Sequence, residues 1–227
     1  MRVLVVSDIH SNLAALEAVL DDAGQWDVAI CAGDIVGYGP NPQECVDRVY
    51  FKGFRCVSGN HDRAVATVET DWFNEDAQEA IRINRGQLSP AGLKWLGELP
   101  TGLQLELDGL KVSVYHGSPT QPLTSYIFPD DAEAHAERFL KLTGADVLLL
   151  GHTHVHYRVQ KGKRLMLNPG SVGQPRDGDP RASYLILETN PLRVEHRRIE
   201  YSVDATAEAI DALGIPHRFA NRLYRGI

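Results

Sequence analysis

The chain has 227 residues, 43% hydrophobic and 23% charged, which fits a globular protein with one sizeable core and excludes a disordered or fibrous chain. A formal net charge of −7 argues against sequence-independent binding to nucleic acid, and no apolar run is long enough to span a bilayer. Cys31, Cys45 and Cys56 lack ligand-like spacing and cannot all pair, so reduced thiols in a cytoplasmic protein are expected; Val3–Val6 runs straight into Asp8, leaving no room for a cleavable leader.

Val3–Ser7 reads as a strand buried on both faces. Asn12 is placed to cap a helix over Leu13–Ala23, with Leu13, Leu16, Val19 and Leu20 on one face and Gly24 at its end. Val28–Ala32 is a second strand. After the loop Gly37-Tyr38-Gly39-Pro40, Pro42 opens a helix to Tyr50, and Arg55–Ser58 is a short third strand. Residues 64–99 are helical in character: Ala77, Ala80, Ile81 and Asn84 fall at helical spacing, as do Leu93 and Leu96 after Pro90. Leu103–Leu107 and Lys111–Tyr115 flank Asp108-Gly109, a hairpin signal. Pro119, Pro122 and Pro129 mark 117–129 as a long loop, followed by a helix over Asp130–Leu142 and a strand over Asp146–Leu150. The last third offers strands at Tyr157–Gln160, Arg164–Leu167, Ser183–Glu188 and Leu192–Tyr201, then a helix over Asp204–Leu213. With no repeat or linker, 1–227 reads as a single domain carrying a cap-like helical segment at 64–99 and a Pro-rich loop at 117–129.

A βαβαβ start and an antiparallel second half predict an α/β fold with two central sheets and helices outside. Short polar motifs follow the apolar runs: Asp8-Ile9-His10, Gly33-Asp34, Gly59-Asn60-His61-Asp62, His116-Gly117 and Gly151-His152-Thr153-His154. In open α/β sheets ligands bind at the carboxyl ends of strands, so these motifs should converge on one edge. Asp8 and His10, two apart where a strand loosens, can face one ion. Asp34 has two oxygens and can bridge two ions, Asn60 offers an amide oxygen, and His116, His152 and His154 offer imidazoles. Nitrogen and oxygen donors without thiolate suit manganese, iron, cobalt, nickel or zinc and disfavour magnesium or calcium. Two divalent ions against the two carboxylates Asp8 and Asp34 would leave the site cationic on an acidic protein, as a small phosphorylated substrate requires.

The ordered set D-x-H, GD, GNH-D, GH and GHxH over residues 8–154 resembles the calcineurin-like metallophosphoesterases, above all their small bacterial and archaeal phosphodiesterase-type members. The resemblance implies a four-layer αββα sandwich of two mixed sheets flanked by helices, with a binuclear site at strand carboxyl ends. It implies that Asp8, His10, Asp34 and His154 hold one metal, and Asp34, Asn60, His116 and His152 the other, with manganese preferred. In the implied mechanism a hydroxide bridging the ions attacks the phosphorus of a phosphodiester or nucleotide-type phosphoester. His61 protonates the departing alkoxide, and Asp62 fixes its tautomer and raises its pKa.

Alternatives within the resemblance are a phosphomonoesterase or protein phosphatase, and an asymmetric dinucleoside polyphosphate hydrolase. A catalytically silent scaffold or sensor is the reading from a different class, but such proteins lose ligands or the histidine acid, and here all are present. A nuclease is disfavoured by the acidic charge and the lack of a DNA-capping domain. The protein phosphatases carry GDxVDRG, where this chain reads Gly33-Asp34-Ile35-Val36-Gly37-Tyr38-Gly39. Tyr38 stands in the arginine's place and Gly37 in the aspartate's, which removes a bidentate phosphate clamp. Tyr38, Asn168, Ser171 and Arg176 are the substrate-side candidates, the last three in the stretch 168–176. For Trp72 and Phe73 packing is favoured over a substrate wall; for Tyr126 and Phe128 lid and packing stay open. His156 is expected to point away from the site, and His135, His196 and His217 to have surface or capping roles.

Overall fold

The computed structural model describes residues 1–227, and its ten strands form two five-stranded sheets. In spatial order the first holds β10 (Leu192–Ile199), β9 (Ala182–Thr189), β1 (Arg2–Val6), β2 (Val28–Cys31) and β3 (Arg55–Cys56). The second holds β4 (Gly102–Leu107), β5 (Leu110–Tyr115), β6 (Val147–Leu149), β8 (Arg164–Asn168) and β7 (Tyr157–Lys161). Both are mixed. β1, β2 and β3 run parallel with β9 and β10 antiparallel, and β5, β6 and β8 run parallel between antiparallel edges β4 and β7.

Strand alternation assigns the layers. Val3 and Val5 of β1, Val147 and Leu149 of β6, and Leu165 and Leu167 of β8 meet in one core between the sheets. The intervening Leu4 and Val6 face a second core, shared with helices α1 (Leu13–Ala23) and α2 (Pro42–Phe51). α3 (Asn60–Thr67), α4 (Glu75–Gln87) and α5 (Pro90–Glu98) join it through Ala64, Val65, Ile81 and Leu96. Leu148 and Met166 face a third core under α6 (Pro129–Thr143). Strands with side chains buried on both faces give helix, sheet, sheet, helix, and each core leucine contributes on the order of 1.5–3 kcal/mol. No helix is long and apolar enough to cross a membrane.

Local chemistry sets the ends. The Asn12 side chain accepts from the Ala15 N–H at 3.1 Å to cap α1, and Asn74 does the same for α4 through Ala77. Pro42, Pro90 and Pro129 open their helices. Asp108 and Gly109, both at positive φ, turn the β4–β5 hairpin. Two features depart from expectation. α3 begins at Asn60 itself, so the third motif is the first turn of a helix. After α7 (Val203–Ala212) comes an unforeseen helix, α8 (Arg218–Leu223), whose Phe219, Ala220 and Leu223 pack with Ile210 and Tyr38. Six residues are too few to display a helical period.

Candidate metal centre

The parallel strands of both sheets end at one edge, and their loops carry the motifs. Asp8 and His10 follow β1, Asp34 follows β2, and Asn60, His61 and Asp62 open α3 just after β3. His116 follows β5, and His152 and His154 follow β6. All are buried. Asp8, His10, Asp34, His152 and His154 hold left-handed backbones, with φ between 47° and 68°, as do neighbouring Ser11 and Tyr38. Such conformations turn successive side chains inward that an extended chain would point to opposite faces.

The donor atoms form two overlapping groups. In one, His154 Nε2 lies 3.3 Å and His10 Nε2 3.9 Å from Asp8 Oδ1, and the two Nε2 atoms are 3.1 Å apart. In the other, His116 Nε2 lies 3.0 Å from His152 Nδ1 and 3.1 Å from Asn60 Oδ1. Asp34 Oδ2 joins them, 3.6 Å from His10 Nε2 and 3.3 Å from His116 Nε2. Its Oδ1 accepts the His61 N–H at 2.8 Å, so one oxygen faces both groups, where the sequence alone suggested one oxygen for each. Asp8 divides its oxygens similarly, Oδ2 accepting from the His152 N–H at 3.1 Å.

Protonation decides what this cluster can hold. The Nδ1 atoms of His10, His116 and His154 contact the carbonyls of Val36, Ala32 and Gln174 at 3.2, 2.8 and 2.5 Å. A carbonyl only accepts, so each Nδ1 carries a proton; burial lowers the pKa values of His10 and His154, so these two rings are neutral and turn a lone pair into the cluster. Lone pairs of His10 and His154 then face each other beside two carboxylates. Asp8 Oδ1 and His152 Nε2 are buried without a hydrogen-bond partner. Converging acceptors repel unless positive charge lies among them, and groups of three at Asp8, His10, His154 and at Asp34, His116, His152 have donor atoms within 4.8 Å of one another. The residues fit divalent cations.

The titration behaviour follows the same field. Burial works to raise the Asp8 and Asp34 pKa values, but the facing imidazoles of His154 and His116 hold both below the usual carboxylate range. Burial pushes His152 down to about 3. Against the same burial, Asp34 and Asp8 hold His116 up at about 9.

Four further candidates sit around a cleft over the cluster or beneath it. Tyr38, His61, Trp72, Phe73, Tyr126 and Arg176 line the cleft with Asn60, Asn74, His152 and His154. The Tyr38 ring touches both the His10 and His61 rings, at 4.6 and 4.3 Å. Phe73 meets the His61 ring edge-on at 4.7 Å, Trp72 is exposed at the rim, and Tyr126 stacks on His152 at 3.8 Å. Phe73 keeps the favoured packing role, against the first-sheet helical core, and also lines the cleft, while for exposed Trp72 the packing role is corrected to cleft wall.

Asn168 and Ser171 are fully buried and already engaged. Asn168 Nδ2 donates to the Gly151 carbonyl at 2.8 Å, and Ser171 Oγ donates to the Asp8 carbonyl at 2.7 Å. Their substrate-side assignment is corrected: they brace the loops that carry the donors. Asp62 is corrected too. Its carboxylate accepts from the N–H groups of Ile35, Val36 and Gly59 at 2.9, 3.1 and 3.0 Å and makes no bond to the His61 ring. His61 accordingly is not raised; burial lowers it to about 4. His156 stays outside the cluster, stacked on His196 at 3.6 Å. One contributor escaped the sequence reading: buried Asn84 of α4 accepts from Ser11 Oγ and the Gly37 N–H at 2.6 and 2.8 Å and donates to the Gly39 carbonyl. An amide at helical spacing with Ala77, Ala80 and Ile81 was the available signal.

Two mixed sheets between helices, with a buried histidine–aspartate cluster at their common edge, define a metal-dependent hydrolase of α/β architecture. The model of the calcineurin-like phosphoesterase superfamily domain matches residues 1–191, and the chain belongs to that superfamily as a metal-dependent phosphoesterase. It is 35% identical over 243 residues to the protein MJ0912 of Methanocaldococcus jannaschii, covering 99% of this chain and 98% of that one. It is 29% identical to phosphodiesterase YfcE of Escherichia coli, over 86% of this chain and 91% of that one. The crystal structure of a metallophosphoesterase from Sphaerobacter thermophilus, 37% identical, superposes with a TM-score of 0.87 over 100% of this chain and 99% of its own.

Proposed function

We propose that the protein is a binuclear phosphodiesterase acting on a small phosphodiester or nucleotide-type phosphoester. Asp8, His10, Asp34 and His154 would hold one ion, and Asp34, Asn60, His116 and His152 the other. The observation that carries the reading is the single oxygen Asp34 Oδ2 facing both donor groups, 3.6 Å from His10 Nε2 and 3.3 Å from His116 Nε2. Bound cations of this kind supply Lewis acidity toward phosphoryl oxygens and a water of lowered pKa as nucleophile. The nitrogen and oxygen donors accept manganese, iron, cobalt, nickel or zinc, and the preference for manganese rests on the family resemblance. The diester preference is supported by the likeness to phosphodiesterase YfcE and by Tyr38 where protein phosphatases carry arginine.

The chain's own residues orient and protonate. Arg176, in the cleft wall, pairs with the phosphoryl group. His61 lines the same cleft and gives a proton to the departing alkoxide. It is neutral at pH 7 in the free protein, and the negative charge of an arriving phosphate raises its proton affinity at the moment the proton is needed. Trp72, Phe73 and Tyr126 close the sides of the cleft and limit the water around the reacting group. The chain works as one domain, with the segment 64–99 supplying the rim at 72–74, and its three buried free thiols suit the cytoplasm.

The test is a metal assay with a hydrolysis screen. Purified protein should hold about two transition ions per chain. With added manganese it should cleave bis-p-nitrophenyl phosphate faster than the monoester or a phosphopeptide. A stable protein that takes up no metal and gains no activity with manganese would overturn the proposal.

A further inference from the structure

Tyr38 of the cleft wall packs against α8, which carries Arg218 and Arg222. The Tyr38 ring packs against Phe219 in a tilted arrangement, with centroids 4.6 Å apart. Three guanidinium groups surround this ring pair: Arg176 lies 5.8 Å from the Tyr38 ring, and Arg218 and Arg222 lie 5.0 and 5.9 Å from the Phe219 ring. Their partners differ. Arg218 is paired, its Nε 2.7 Å from Asp76 Oδ2, and it also bonds to Asn74 at the cleft rim. Arg176 makes one side-chain hydrogen bond, to the neutral Gln174 Oε1 at 2.9 Å, and its Nε is buried without a partner. Arg222 is half-buried and makes no ion pair and no side-chain hydrogen bond. Burial first, then the charge of Arg176, pushes its pKa below the usual arginine value.

Two partly buried guanidiniums that repel each other, without a carboxylate between them, are unfavourable as a structural device. The chain has acids to spare, 30 against 23 bases, and has placed none here. Such an arrangement would be stabilised by an anion that comes from outside. Its charge fits a phosphoryl group better than a carboxylate, because two positive charges match a dianion. Arg176 approaches the Tyr38 ring, which touches His10 and His61, whereas Arg222 approaches the Phe219 ring, so along this series of contacts Arg222 is one ring further from the donor cluster. Arg176 lies within residues 1–191, the part that matches the superfamily model, while Arg222 on α8 lies outside it.

We propose that Arg222, sharing Arg176 with the reacting phosphoryl group, forms an anion subsite for a second, non-reacting phosphoryl group, so that the preferred substrate is a phosphoester carrying two or more phosphates. This rests on the phosphoesterase reading above and narrows its substrate class to nucleotide-polyphosphate-type esters. The test compares wild type with R222Q and R222K, all loaded with manganese.

Calorimetry with methylenediphosphonate, which has two phosphoryl groups and no hydrolysable bridge, should show about tenfold weaker binding to R222Q, the effect of one lost charge-assisted contact. R222K should fall between, since lysine keeps the charge and loses the fork. Methylphosphonate, with one phosphoryl group, should distinguish the three proteins by less than about threefold. In turnover, the ratio of kcat/KM for a dinucleoside polyphosphate to that for bis-p-nitrophenyl phosphate should drop about tenfold in R222Q, mostly through KM. Equal diphosphonate affinity and an equal ratio in all three proteins would overturn the subsite. Should R222Q not fold, R222K against wild type decides the same point. Should no ester be cleaved at all, the phosphoesterase reading fails while the calorimetric comparison still decides the subsite.

Discussion

Seven of the nine non-glycine residues with positive φ sit at the centre: Asp8, His10, Ser11, Asp34, Tyr38, His152 and His154. Each such backbone costs on the order of 1 kcal/mol or more, so their concentration there marks where function outweighs stability. The residue types of the donor set were readable in the sequence because metal chemistry restricts them to histidine, aspartate and asparagine at short spacing. The roles of Asp62, Asn168 and Ser171 were not, because their partners are backbone groups of segments brought alongside by folding. His61 is the residue on which donor and proton-transfer roles diverge, since it also lies within reach of His10 and Asp34. H61A should lower kcat by roughly a hundred- to ten-thousand-fold, with metal content by atomic absorption unchanged. A parallel fall in both would make His61 a ligand.

At the level of loops, close approach is the organising constraint. Gly173 lies so near the Asp8–Asn12 turn that a Cβ would meet the Ile9 carbonyl oxygen at 1.8 Å, while its own N–H donates to the Asp8 carbonyl at 3.0 Å. A Cβ on Gly59 would meet Asp34 Oδ1 at 2.0 Å. G173A should destabilise the protein by about 1–3 kcal/mol and weaken metal binding, because Asp8 and His10 must move with the displaced turn. A urea midpoint and metal affinity equal to wild type would count against it. Strands and long helices were legible from periodicity and from Asn, Pro and Gly signals. The start of α3 was not, since Asn60 and His61 carry no apolar period, and α8 was too short to show one.

Across the whole molecule, the two-sheet architecture followed from the order of motifs and strands, while the pairing of β9 with β1 is a long-range contact with no local signature. Acid stability is likewise a property of the assembled fold. His196 of β10 stacks on His156, and burial, with the His156 and Arg198 charges, lowers it to about 4. Between roughly pH 6.5 and pH 4 the unfolded chain takes up a proton there that the folded chain refuses, so stability falls as pH drops through that window. H196Q should therefore lose less Tm than wild type between pH 6.5 and 4.5; identical slopes would show that other groups set the acid limb.

Asp8 and Asp34 hang from one sheet, and His116, His152 and His154 from the other. Any cation gripped by both sets is a rivet through the seam of the sandwich. Occupancy and cohesion then become a single thermodynamic quantity: chelator, acid or a competing ion would not merely silence the enzyme but begin to unzip it along the line where the sheets meet.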